Sequence, residues 1–348
     1  MINNTNLYKE IHEQPLALQR FFDTEWADLK KTSKLLKDER VSNVVIAARG
    51  TSDNAARYAQ YLFGAVNHLS VGLATPSLHS IYQQVPSYKN SMVIGISQSG
   101  KSPDIVSVIA DAKKQGSPTI AITNEPDSDL ARIADFLVDL HAGPELSVAA
   151  TKTYTTELAA IAALSTLAAA DSAREATLRS VPGLMQETLK LSPSIAQSAE
   201  RYRYMRMCVV IGRGFNYPTA FEVALKIKEL NYIVAEPYSS ADFLHGPVAV
   251  VEEGFPVMVI APSGRMLQEM KTFVQGLHEL GAELIAISDD DGLLSQARTA
   301  FKLPHIAAEW VSPLVSVVPG QLFAMHLADV RDLNVDHPRG LHKVTETH

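Results

Sequence analysis

A chain of 348 residues is long for one domain and comfortable for two, each able to bury a core without disulfide or metal staples. Its 31 basic and 38 acidic residues leave a net charge of −7, with no basic run to track a nucleic-acid backbone. Nucleic acid is therefore not an expected partner, and an anionic small molecule must be met locally, by backbone N–H groups or a few placed cations.

The N-terminal MINNTNLYKEIHEQP has no apolar stretch preceded by positive charge, so a cytoplasmic setting is expected. Next comes Val44-Val45-Ile46 before the turn Arg49-Gly50, a short β-branched strand pattern. The run MVIGI then enters Ser97-Gln98-Ser99-Gly100-Lys101-Ser102, after which Pro103 opens the helix pattern PDIVSVIADAKKQ, closed at Gly116. Pro at the first helical position with Ser before it marks a helix start. Exposed N–H groups, three serine hydroxyls and the positive end of the helix dipole converge there, as a phosphate monoester requires; a merely well-capped turn is the plainer alternative. Gly95 to Ser102 also satisfies G-x-x-x-x-G-K-S, and LIAISDD (284–290) could supply an acidic metal ligand, which would indicate an NTPase. Against that, Gly95 falls within the strand rather than the loop, Pro103 starts the helix late, and the acidic strand lies far along the chain.

Ile120-Ala121-Ile122-Thr123 reads as a further strand, and Leu158 to Ala170 as the most apolar window, bounded by Glu157 and Asp171. That window falls short of the roughly 20 residues of a membrane span, so no membrane partner is expected. The stretch from 172 to about 200 is polar and carries Pro182 and Pro193, a natural connector. Beyond it the earlier segments recur roughly 165 residues later, which fixes architecture more firmly than propensity. Val209-Val210-Ile211 precedes Arg213-Gly214, Val259-Ile260 precedes Ser263-Gly264, and Ile285-Ala286-Ile287-Ser288 follows. The single cysteine, Cys208, lies in the first of these runs and reads as a small core residue. Short apolar strands ending in Gly or Ser turns and followed by helical patterns give two α/β domains, each a doubly wound, flavodoxin-like parallel sheet flanked by helices. Ligands in such sheets bind at the carboxyl ends of the strands.

Between the second set of strands, FEVALKIKEL places Glu222, Lys226 and Glu229 on one face of a largely apolar helix. A solvated Glu-Lys-Glu ladder is the ordinary meaning of such spacing, but charges on an otherwise buried helix must be paired or used. His245 follows in a His-Gly-Pro turn, where a histidine often only caps a carbonyl. After about Ala328 the pattern dissolves into VRDLNVDHPRGLHKVTETH, neither strand nor helix. The histidines show no H-x-x-x-H spacing and there is no C-x-x-C, so no metal site is expected.

Six motifs in order, KEIHEQP, ARGTSDNAARY, SQSGKSPD, AGPELSVAATKTYTTEL, GRGFNYPTAFEVALKIKELNYIVAEPYSSADFLHGP and VDHPRGLHKVT, resemble the SIS (sugar isomerase) family. The resemblance is closest to the isomerase half of glucosamine-6-phosphate synthase and to stand-alone SIS-type glucosamine-6-phosphate deaminases. It implies an N-terminal helical segment (1–31), SIS domains at 32–171 and 200–331, a helical connector (172–199), and a tail (332–348) lying over the active site. It also implies that Ser52, Ser97, Gln98, Ser99 and Ser102 cradle phosphate, with Thr51 and the backbone near Val148 lining the sugar site. Glu229 would transfer the proton, helped by Glu222 and Lys226. His245 would open the sugar ring from a neighbouring chain, and Lys343 would form a Schiff base with the open-chain sugar. A homodimer with shared active sites is thereby implied, acting on a phosphosugar without metal or redox cofactor.

Two departures stand out: Lys101 where the synthases usually carry Glu, and Ala150 where they carry Ser. No glutaminase-like segment or early cysteine precedes the repeats, so release of ammonia from glucosamine 6-phosphate, giving fructose 6-phosphate, is the expected direction. Galactosamine 6-phosphate or a fructosamine 6-phosphate would be read by only one or two different hydrogen bonds. A phosphosugar-sensing regulator without turnover is the non-enzymatic alternative.

Overall fold

The protein is described by a computed structural model covering residues 2–343. Ten strands form two parallel sheets of five. In the first, β1 (Asn43–Ala47), β2 (Ser70–Leu73), β3 (Ser91–Ile96), β4 (Thr119–Thr123) and β5 (Phe136–Asp139) take the order β2-β1-β3-β4-β5. In the second, β6 (Met207–Gly212), β7 (Val234–Ser239), β8 (Pro256–Ile260), β9 (Glu283–Ser288) and β10 (Thr299–Lys302) take the order β10-β9-β8-β6-β7, the same winding repeated. Val45 of β1 pairs in parallel with Val93 of β3, and Ile211 of β6 with Val259 of β8. Every residue of β3 and β4 is buried, whereas edge strand β2 is not. Their near-continuous Val, Ile and Met runs reflect helices covering both faces.

The chain divides into two compact units. One holds the first sheet within residues 16–145 and 152–179, together with His342 and Lys343. In it the helix Gly50–Asn67 follows β1, Pro103–Lys114 follows β3, and the buried helix Lys152–Ala169 packs on Gly50–Asn67.

The other unit holds the second sheet within 180–341, with 2–15 and 146–151. There the helix Tyr217–Asn231 follows β6 and Leu267–Glu279 follows β8. The long helix Ser312–Val330 packs on Tyr217–Asn231, as Lys152–Ala169 does on Gly50–Asn67. Residues 309–330 are long and apolar enough to cross a membrane, but all of that stretch lies inside the fold. Its length is used for packing. Asn231 Nδ2 donates to the Ala324 carbonyl at 2.9 Å, and Gly320 abuts Val223, whose Cγ1 would lie 2.9 Å from a Cβ added there.

The stretch between the sheets forms the helices Ser172–Thr188 and Ser192–Ala199, with Pro182 inside the first and Pro193 in the opening turn of the second. Residues 331–343 carry neither helix nor strand. Because helices that touch this closely cannot accept an added methyl group without shifting, Gly320→Ala is expected to cost about 1–3 kcal/mol. Urea unfolding monitored by circular dichroism measures this, with the slope of the transition unchanged.

Candidate active site

Strands β1 and β3 are neighbours, and the chain leaves them in opposite directions, to β2 on one side and to β4 on the other. A crevice at such a reversal, beyond the carboxyl ends of the strands, is where doubly wound sheets bind ligands. Two helices begin there, Gly50–Asn67 and Pro103–Lys114, and each presents N–H groups that have no partner within the helix. The turn between β3 and the second helix is fixed by its own residues. Gly100 has φ +59°, a side chain there would strike Ser128, and its N–H donates to Ser97 Oγ at 3.1 Å. Thr123 Oγ1 and Asn124 N, at the end of β4, donate to the Gln98 carbonyl at 3.2 and 3.1 Å. Lys101 N donates to Ser99 Oγ at 3.4 Å, and Ser102 sits extended at the N-cap without a side-chain capping bond.

Thr51 and Ser52 lie in the first turn of Gly50–Asn67, where Gly50 has φ +54°. Ser52 Oγ donates to Glu157 Oε1 at 2.8 Å, and both residues are buried, so its proton is already used and its hydroxyl is left as an acceptor. Sequence reasoning missed Glu157, seen only as the charge bounding an apolar window. It also missed Arg49, whose Nε donates to buried Asp104 Oδ2 at 2.8 Å across the crevice. The recurrence of Arg-Gly as Arg213-Gly214 was the available signal, since Arg213 pairs at 3.4 Å with Glu269 at the equivalent helix start.

The NTPase pattern has a packing explanation. Gly95 belongs to β3, and a Cβ there would meet Leu130 at 2.8 Å and Ile109 at 3.0 Å. That glycine therefore serves helix–sheet contact rather than a phosphate loop. Cys208 is buried, and burial pushes its thiol up to about 12, far from a thiolate nucleophile at neutral pH.

In the second sheet the corresponding crevice, between the turns after β6 and β8, is taken by the protein's own carboxylates. Arg265 N donates to Glu309 Oε2 at 2.9 Å, and Ser263 N to Asp289 Oδ1 at 2.6 Å. A Cβ on Gly264 would lie 2.8 Å from Glu309 Oε2, and one on Gly214 3.8 Å from Oε1, so this carboxylate lies between the two turns. Nothing local in the sequence marks Glu309 for that position.

The face read on FEVALKIKEL is present. Lys226 Nζ lies 2.6 Å from Glu229 Oε2 and 3.4 Å from Glu222 Oε1. Side-chain exposure is 0% for Glu222, 1% for Lys226 and 23% for Glu229, so the array runs from the interior to an accessible carboxylate. The helix is clamped at both ends. Asn216 at its N-cap donates through Nδ2 to Ser312 Oγ at 2.7 Å, while Tyr232 ends it with φ +57°.

His245 lies beyond the short helix Ser240–Leu244, exposed, before Gly246 with φ +135°. Val148 is half-buried in the 146–151 segment and its N–H donates to the Asp336 carbonyl at 3.4 Å. In the first-sheet unit, Lys343 Nζ lies 3.1 Å from Glu145 Oε2; Glu145 is buried and also accepts from Thr153 N and Oγ1 at 3.1 and 2.7 Å. The part of the tail before Lys343 is built into the second-sheet unit: Val335 is buried, and Arg339 N donates to Tyr232 Oη at 2.6 Å.

Comparison with known proteins follows this division. The SIS domain family matches residues 35–167 and 205–331, one match around each sheet. The isomerizing glutamine–fructose-6-phosphate aminotransferase of Aquifex aeolicus is 37% identical over 349 aligned residues, covering 97% of this chain. The chain spans 57% of that relative's length. The C-terminal domain of glucosamine-fructose-6-phosphate aminotransferase from Francisella tularensis superposes with a TM-score of 0.88 at 29% identity, covering 96% of this chain and 98% of that one. Glucosamine-6-phosphate deaminase from Thermotoga maritima shares the fold, with a TM-score of 0.82 at 23% identity, covering 99% of this chain and all of that one. With two matched segments, each built around its own doubly wound sheet, the chain belongs to the SIS domain family.

Proposed function

We propose that the protein is a phosphosugar aldose–ketose isomerase whose substrate carries an amine at C2, converting glucosamine 6-phosphate and water to fructose 6-phosphate and ammonia. The observation that carries this reading is Glu229, an accessible carboxylate held at 2.6 Å by a buried lysine on a clamped helix. Aldose–ketose exchange needs one base that removes the C2 proton and returns it at C1, and a single fixed carboxylate can do both. The phosphate is assigned to Ser97, Gln98, Ser99 and Ser102 with the two helix N-termini, and Thr51, Ser52 and the Val148 backbone to the sugar.

In the forward direction the ring opens to the aldehyde with His245 moving the proton between ring oxygen and C1 hydroxyl. Glu229 takes the C2 proton and delivers it to C1, while the amine gives up one proton and the aldehyde oxygen gains one, leaving an alcohol at C1 and an imine at C2. Water adds to that imine, and ammonia leaves as the C2 carbonyl of fructose 6-phosphate forms. Lys226 orients Glu229, and Glu222, 3.4 Å away, orients Lys226. Lys343 is assigned to the open-chain carbonyl, as a Schiff base or as a charge. The active assembly is proposed to be a homodimer in which exposed His245 serves the neighbouring copy, as the family resemblance implies.

Incubation with glucosamine 6-phosphate, with ammonia and fructose 6-phosphate both assayed, tests the reaction. Tight binding without either product would instead identify a phosphosugar-sensing regulator. Turnover of galactosamine 6-phosphate or a fructosamine 6-phosphate in its place would move the substrate and keep the chemistry.

Glu229→Gln fills the same volume but cannot accept a proton, so kcat is expected to fall by about 10²–10⁴ with substrate affinity kept. Wild-type ammonia release by that variant removes Glu229 from the mechanism. Ser97→Ala combined with Ser99→Ala is expected to act mainly on KM, raising it about tenfold, since phosphate contacts are made alike in ground and transition states. Truncating the tail would also strip buried Val335, so Lys343→Ala is the cleaner probe of the lysine; it is expected to fold normally and lose most turnover. Lys226→Met leaves Glu222 buried without its lysine, a change worth about 3–5 kcal/mol. Calorimetry should show a melting temperature lowered by about 10 °C, well beyond the effect of Glu229→Gln.

A further inference from the structure

The motif KEIHEQP at the start of the chain has no part in the chemistry above, yet its Glu10 is 3% exposed and its carboxylate accepts from a distant segment. Leu146 N donates to Oε1, and Ser147 N lies 3.3 Å from Oε1 and 3.2 Å from Oε2. The fully buried Ser147 hydroxyl donates to Oε2 and lies 3.0 Å from the Ala149 carbonyl. Residues 146–151 have no helix or strand of their own, so their backbone groups must find partners elsewhere. A carboxylate receiving several such donors is a strong and directional clamp.

A second carboxylate fixes the clamp itself. Asp336 accepts Asn6 N and Leu7 N, each at 2.9 Å, capping the first turn of the helix that carries Glu10. Its own carbonyl accepts Val148 N at 3.4 Å. With its N–H taken, Val148 has its carbonyl left to offer. Helix start, 146–149 segment and tail thus form one hydrogen-bonded knot inside a single unit.

We infer that Glu10 is a positioning residue for sugar binding: by holding Leu146 and Ser147 it sets where the Val148 carbonyl meets the substrate. This rests on the proposed phosphosugar reading, and specifically on Val148 lining the sugar rather than the phosphate. Glu10 touches no substrate. It acts through the segment it holds, and its loss should be felt by the sugar and not by the phosphate.

The test compares Glu10→Gln and Ser147→Ala with wild type, using glucosamine 6-phosphate and inorganic phosphate as separate probes in calorimetric titration, alongside steady-state kinetics. Gln keeps the shape of Glu10 but turns an NH2 group toward donors; Ser147→Ala removes one donor and leaves Glu10 intact. Both variants are expected to raise KM and Kd for glucosamine 6-phosphate, Glu10→Gln by about tenfold, with kcat changed much less and the Kd for inorganic phosphate unmoved. Wild-type affinity for the sugar phosphate in either soluble variant overturns the inference. So does equal weakening of both probes, which reports general damage, or a kcat loss at constant KM, which reports a role in the chemistry. Should Glu10→Gln fail to fold, Ser147→Ala decides. A wild-type protein that binds glucosamine 6-phosphate without turnover fails the reaction while the Kd comparison still judges Glu10, and one that binds no phosphosugar overturns both.

Discussion

A lysine ammonium buried to 1% exposure between two carboxylates is the constraint around which the second-sheet unit is arranged. Such a charge is expensive to desolvate, and it is stable only while its partners stay within contact distance. The helix Tyr217–Asn231 therefore has to be rigid. Asn216 fixes one end, the left-handed Tyr232 stops the other, and the helix Ser312–Val330 closes over its apolar side so tightly that a glycine is needed at 320. The accessible carboxylate of Glu229 inherits that rigidity through its contact with Lys226.

The two sheets show what duplication keeps and what it releases. Winding order is the same in both, and each retains an arginine after its first strand paired with an acid at the start of a helix. Side-chain character is divided between the copies. Serine hydroxyls and a left-handed glycine shape the turn after β3, whereas the helix after β6 carries the ionisable face.

Architecture was legible in the sequence because it is written in local signals. β-branched runs ending in Gly or Ser, recurring at one offset, specify two doubly wound sheets, and the spacing of Glu222, Lys226 and Glu229 specifies a face. The apolar helix Ser312–Val330 was underrated because residues buried all round show no periodicity to detect. What stayed hidden are the carboxylates that act across the chain. Glu157 holds Ser52 from 105 residues away, Glu10 holds Ser147 from 137, and Asp336 caps the first helix from 330. No window of sequence contains both partners of such a contact.

The carboxylate of Glu309 has a consequence for stoichiometry. A protein built from two like halves has two crevices suited to an anion, and an open second crevice would draw free phosphate from solution without catalysing anything. Here the competing anion is covalently part of the chain, at an effective local concentration far above that of dissolved phosphate. In the second sheet the turns after β6 and β8 are thus already occupied by the chain's own acid. The same half carries the Glu222-Lys226-Glu229 array.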